Sequence, residues 1–278
     1  MSQASKAAEL TLARLHGFRI RIPTNNRLAR ARSVLIEGSR IPWFDLADDS
    51  QKRVGEATRT VFEQYLITRS IVLPSKELRE RLRWLLEGPD LPRKDAKTSA
   101  HDVQFELLAG AVLALAGISG VRLDEPDWRI PAGDREITVA AKRLSSLKST
   151  TKRVRDAIGQ IRRQLIPGII LLNLDQLVGG MSPGEATQFV TSAVKEFRQL
   201  VARWKVEDIV FALFGFATSF DWVSTELGGV LRLRVFSKGE IIGSPSDLED
   251  APRIKAKLRL MGHNIITSAA RAMDEIPL

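Results

Sequence analysis

The chain has 278 residues, 44% of them hydrophobic, and carries a formal charge of +9 from 42 basic and 33 acidic residues. It contains no cysteine, which excludes disulfides and thiolate metal centres. Its three histidines, His16, His101 and His263, are too scattered in sequence to support a zinc-hydrolase site or a Ser-His-Asp triad.

The length suits one large domain or two modest ones. The excess of positive charge points to an anionic partner, nucleic acid or an acidic membrane surface. The N-terminus lacks the apolar block of a signal peptide. The longest uncharged apolar run, 107–121, is shorter than the roughly 20 residues of a membrane span. The expectation is a cytoplasmic protein with no membrane segment.

In chain order, a helix is predicted over 5–16. Arginines then cluster at 19, 21, 27, 30 and 32 around the turn-like Pro23-Thr24-Asn25-Asn26. This cluster reads equally as a grip on a nucleic-acid backbone or as partners for Asp45, Asp48 and Asp49. After Pro-Trp-Phe at 42–44, amphipathic helices are predicted over 51–68 and 75–87. The second ends at Gly88-Pro89-Asp90-Leu91-Pro92. The polar run 92–99 reads as a linker, which divides a mainly helical region (1–95) from an α/β domain (96–278).

The second region opens with a helix over 100–116 that is apolar nearly all round and so belongs in a core. Strands are predicted over 119–124, 126–131 and 135–143, the last two joined by a Pro-Ala-Gly-Asp turn. A basic helix over 149–165 follows. The run IILLNL after Pro167-Gly168 reads as a strand buried on both faces. A helix from Ser182 to about 204, a buried strand over 208–216, an alternating strand over 231–236 and helical sequence over 251–274 complete the chain. This order gives a mixed-sheet α/β sandwich with a helical N-terminal region.

The chemistry-bearing residues gather around the predicted hairpin. Side chains on a strand alternate faces, so 136, 138, 140 and 142 share one surface, and pairing across the turn brings Asp127 towards Lys142. Glu106 is a lone acid in an apolar helix, and buried carboxylates are costly unless paired or metal-bound. Between Lys142 and Arg163 stand Lys142, Arg143, Lys148, Lys152, Arg153, Arg155, Arg162 and Arg163, with Asp156 as the only acid. Ordinary solvated helix faces mix signs, so this run reads as a phosphate-binding surface. Aromatic residues, at 6%, are too sparse for a base-stacking platform.

Glu106 in QFELLAGAVLALAG, Pro126-Asp127 at the hairpin start, Ala140-Ala141-Lys142 on the return strand and Gln160 in the basic helix carry a resemblance. Over residues 100–175 the chain resembles the PD-(D/E)XK nuclease superfamily, the restriction-endonuclease-like fold. The family core is likewise a helix, three antiparallel strands, a helix and a further strand. The resemblance implies a divalent-metal-dependent nuclease, with Mg²⁺ or Mn²⁺, that hydrolyses phosphodiester bonds in DNA. It also allows a homodimer. Asp127, Glu106 and the Ala141 carbonyl would hold the metal. Lys142 would position the nucleophile or steady the phosphate charge, and Gln160 would orient a water or a phosphate. One position departs from the family: the residue two before the lysine, an acid that shares the metal, is Ala140 here. Two alternatives therefore stand beside the nuclease. One is a degenerate nuclease fold kept for nucleic-acid binding. The other is a basic protein-interaction module.

Overall fold

Short polar signals start four of the eight described helices, and apolar spacing decides which face each of those four buries. A computed structural model describes residues 3–41, 45–88, 100–115, 117–118, 121–123, 127–132, 134–225 and 228–242. Among these, contacts divide the chain into two compact units, one of residues 3–111 and 222–232, the other of residues 112–221 and 233–242. The predicted linker at 92–99 and the helical sequence over 251–274 lie outside the described residues.

The first unit is built from α1 (Gln3–Gly17), α2 (Arg27–Gly38), α3 (Asp48–Ser70), α4 (Lys76–Leu85) and the greater part of α5 (Ala100–Leu115). Both α1 and α2 pack on α3. Sequence reading missed α2 and saw only a turn at 23–26. That turn is the helix start: Asn26 Oδ1 accepts the Ala29 N–H at 2.9 Å, and its Nδ2 donates to Pro23 O at 2.8 Å. Leu28, Ala31 and Leu35 then bury one face at helical spacing. Ser75 caps α4 by accepting the Leu78 N–H at 3.1 Å. The Glu77 carboxyl is held below its usual range, first by its own backbone N–H and then by the Ser75 side chain.

Within the arginine cluster Arg27 is buried, Arg30 and Arg32 are half-buried, and Arg19 and Arg21 are exposed. Arg27 is 1% exposed. Its Nη1 donates to Gln104 Oε1 at 2.7 Å, and its Nη2 meets Thr60 Oγ1 at 3.0 Å and His101 Nδ1 at 2.8 Å. A guanidinium has no acceptor, so His101 Nδ1 accepts and the ring proton sits on Nε2. Gln104 Nε2 in turn donates to Glu63 Oε2. Arg30 donates to the backbone oxygens of Asn25 and Gly88. Arg32 pairs with Glu9 at 2.8 Å. Asp45, Asp48 and Asp49 are not among these partners.

A six-stranded sheet runs in the order β1 (Arg122–Leu123), β2 (Trp128–Ala132), β3 (Arg135–Arg143), β4 (Gly168–Asn173), β5 (Val210–Thr225), β6 (Gly228–Ile241), and its strands belong to the second unit except for 222–225 of β5 and 228–232 of β6. The first three strands form an antiparallel meander. The helix α6 (Leu147–Gln164) then crosses over, so that β4 runs parallel to β3. The short α7 (Asp175–Val178) and long α8 (Pro183–Arg203) lead to β5, parallel to β4. Ile242 N–H donates to Phe211 O at 3.0 Å, which sets the end of β6 beside the start of β5. The protein is therefore α/β with a mixed open sheet. β4 is buried along its whole length, as the unbroken GIILLN requires of a strand flanked by parallel partners.

Two helix starts and one glycine fix the layers. Ser146 opens α6 by accepting the Ser149 N–H at 3.2 Å. Ser182 and Glu185 form a reciprocal capping box at the start of α8. That exchange, led by the Ser182 side chain, holds the Glu185 carboxyl below its usual range. Gly168 lies where α6 presses on the sheet: a Cβ there would stand 2.6 Å from both Ile161 Cγ1 and Thr138 Oγ1. Val154, Ala157, Ile158 and Ile161 of α6 join Ile170 and Leu172 of β4 and Val190, Val194 and Phe197 of α8 in one apolar core. No helix among the described residues is long and apolar enough to cross a membrane.

Candidate functional site

The register of the hairpin places the predicted acid and lysine. Trp128 pairs with Val139, so Asp127, one residue earlier, stands across β3 from Ala140. Directly opposed residues of an antiparallel pair point to the same face. Asp127, Ala140 and Lys142 thus share a surface, with Asp127 and Lys142 as diagonal neighbours.

Asp127 is buried, at 4% exposed. Its Oδ2 accepts the Ala141 N–H at 2.7 Å and meets Lys142 Nζ at 3.4 Å. The same Nζ donates to Ala141 O at 3.0 Å. The Lys142 side chain is 11% exposed. Asp127, Ala141 and Lys142 therefore come together as the sequence implied, and the ammonium lies between the two oxygens assigned to a metal.

The other expected ligands are arranged differently. Glu106 belongs to the first unit, where its Oε2 pairs with Arg81 Nη1 at 2.6 Å. Ala140 is fully buried and packs in the apolar core with Leu144, Val154 and Ile158. Gln160 lies on the helix above the strand. Gln164, one turn later on that helix, accepts from Arg129 Nη2 at 2.9 Å, and Arg129 follows Asp127 by two residues on one face of β2. A turn of helix and two strand residues each span about 6 Å, which sets Gln160 level with Asp127. Gln160 Oε1 is buried without a hydrogen-bond partner among the described residues.

These donors do not fit a divalent cation as they stand. Lys142 Nζ already lies against Asp127 Oδ2 and the Ala141 carbonyl. No group of three or more acidic or histidine side chains able to hold a metal occurs among the described residues.

The basic helix has a clearer geometry. Thr150, Val154, Ala157, Ile158 and Ile161 face inward. Lys148, Lys152, Arg155 and Arg162 follow one another at spacings of four, three and seven on the opposite face, all exposed. The stripe is about 21 Å long at 1.5 Å per residue. Lys148, Lys152, Arg153, Arg162 and Arg163 have no ion pair or hydrogen bond from their side chains to any described residue, and neither does Asp156. Arg155 alone is engaged, with its guanidinium 5.4 Å from the centre of the Trp204 ring. Arg143 ends β3 half-buried, its Nε without a hydrogen-bond partner.

Two polar groups escaped sequence reading. One is the Arg27–His101–Gln104 cluster of the first unit; an arginine in a turn-like stretch gives no sign of burial. The other is at the end of β4. There Asn173 Nδ2 donates to Asp175 Oδ2 at 2.7 Å, while Asn173 Oδ1 accepts the Asp175 N–H at 3.0 Å. An acid directly after an apolar strand was the available signal.

Comparison with family models, curated proteins and solved structures finds no match to this chain.

Proposed function

We propose that this protein binds nucleic acid, as duplex DNA, through the outer face of α6. The helix is mounted on a restriction-endonuclease-like framework. The observation that carries the reading is the stripe Lys148, Lys152, Arg155, Arg162, flanked by Arg153 and Arg163. Six cations on one helix face a single acid, and five of them have no counter-charge among the described residues. Holding like charges together on a helix is unfavourable in itself. A polyanion supplies the missing countercharge and gains affinity from the counterions it releases. The order helix, antiparallel meander, crossover helix and parallel strand supports the framework, since the nuclease superfamily builds its core in that order.

The test is fluorescence anisotropy with a labelled duplex at several salt concentrations. Binding that weakens steeply with salt supports the reading. Affinity absent at low salt, or indifferent to salt, refutes it and favours the protein-interaction module.

A second reading, a Mg²⁺- or Mn²⁺-dependent deoxyribonuclease, has one specific observation in its favour. Asp127 stands across from the position two before Lys142, the arrangement in which the superfamily sets its acid beside its acid-x-lysine strand. Against it stand Ala140 in the apolar core, Glu106 on Arg81, and a lysine that lies against Asp127 Oδ2 and the Ala141 carbonyl. Incubation of supercoiled and linear DNA with either metal decides it, with Asp127→Asn as the control. Metal-dependent cleavage lost in that variant would establish the nuclease.

A further inference from the structure

The structure assigns the Lys142 ammonium the place of a divalent cation: it is a built-in counter-ion that keeps a latent metal half-site closed. Three features of the hairpin lead there. A buried carboxylate needs a positive partner, and Asp127, 4% exposed, has Lys142 Nζ at 3.4 Å. The ammonium also takes Ala141 O at 3.0 Å, a neutral oxygen whose backbone N–H is already donated to Asp127 Oδ2. One cation thus bridges a carboxylate and a carbonyl of the same hairpin, which is the ligand pair a hard metal ion selects. Finally, the residue opposite Asp127 is an alanine with no solvent exposure, so no second acid stands at that position.

The charge balance explains why this arrangement is stable. With a carboxylate at 140, the face would hold two negative charges and one lysine, and a divalent ion would be needed to offset the excess. With alanine there, one carboxylate meets one ammonium, and the pair balances without metal. The lysine is therefore a structural counter-ion in this protein, with no need to sit near a reacting phosphate. A divalent ion binds its oxygens at about 2.0–2.6 Å, closer than the ammonium approaches either one. It can bridge Asp127 Oδ2 and the Ala141 carbonyl only if Nζ leaves. The inference does not depend on DNA binding by α6, because Asp127, Ala141 and Lys142 all belong to the hairpin, and its test contains no nucleic acid.

The experiment titrates Mn²⁺ alone into the full chain, followed by isothermal calorimetry and by the loss of the free-ion electron paramagnetic resonance signal. Wild type is expected to show no saturable 1:1 site. Lys142→Met keeps the aliphatic stem and removes the charge. It should gain a 1:1 site at least tenfold tighter than any wild-type binding, and Mn²⁺ should raise its thermal midpoint. Lys142→Met/Asp127→Asn should lose that site, which separates it from ion binding elsewhere. A wild-type 1:1 site as tight as that of Lys142→Met overturns the inference, as does a folded Lys142→Met with no site. If Lys142→Met does not fold in EDTA, folding on addition of Mn²⁺ supports the inference. Failure to fold in Mn²⁺ as well passes the decision to wild type, where a saturable site overturns the inference and its absence supports it. None of these results bears on the salt-dependent DNA binding assigned to α6, so the two readings fail separately.

Discussion

Neutralising the outer face of α6 tests the DNA reading most directly. Lys148→Gln, Lys152→Gln and Arg162→Gln together remove three of the four charges in the stripe. All three side chains are exposed and make no hydrogen bond or ion pair with a described residue, and glutamine is a good helix former, so the helix should stand. Arg155 is kept because it stacks on Trp204. If each of the four cations meets one phosphate, the logarithm of the association constant falls with that of salt at a slope of about −3.6. Raising salt from about 50 to about 200 mM should then weaken the wild type by about 150-fold. With one contact left, the slope drops to about −0.9 and the same change costs about fourfold. Anisotropy titrations at four or five salt concentrations measure both slopes, and circular dichroism verifies the fold. A correctly folded triple variant that keeps the wild-type slope would refute the assignment of the interface to α6.

Three further predictions concern the framework. Ala140→Glu places a carboxylate inside the apolar core beside Asp127, so it should lower stability by on the order of 3 kcal/mol without conferring cleavage. Urea denaturation measures it, and a variant as stable as wild type would mean that the position opens to solvent or to a cation. Arg27→Met strips a buried network of its common donor, which Gln104 Oε1, Thr60 Oγ1 and His101 Nδ1 all lose. A loss of about 3 kcal/mol is expected, with Arg27→Lys recovering only part of it. An unchanged thermal midpoint for the methionine variant would show the network to be dispensable. The Glu185 carboxyl is held low in the folded state, so its contribution is present above the ordinary glutamate value and is lost as pH falls through the lower folded value. Glu185→Gln should therefore be less stable than wild type at neutral pH and equal to it in acid. A difference that persists unchanged at about pH 3, below the glutamate range, would contradict the capping role.

Much of the second unit was legible because local rules and tertiary context agree there. The strand REITVAAKR and the unbroken apolar GIILLN each admit one low-energy backbone, and both appear as strands. Period-two alternation, with pairing across the turn, put Asp127 and Lys142 on a common face. The cationic run of α6 was equally plain, since charge survives folding unchanged. Sequence could not set what each of these groups would meet. Arg27 and Arg162 look alike in the chain, yet one is buried against Gln104, Thr60 and His101 while the other is exposed on α6. Burial depends on which helices pack together, and hence on the whole core rather than on neighbours in sequence. The same holds for Glu106, which is claimed by Arg81 twenty-five residues away. It holds too for Lys142, which the sequence presented as a catalytic cation and the tertiary structure sets between Asp127 and the Ala141 carbonyl. A side chain's charge is fixed by its identity, but its partner is fixed by distance, and only the folded chain brings distant residues within reach.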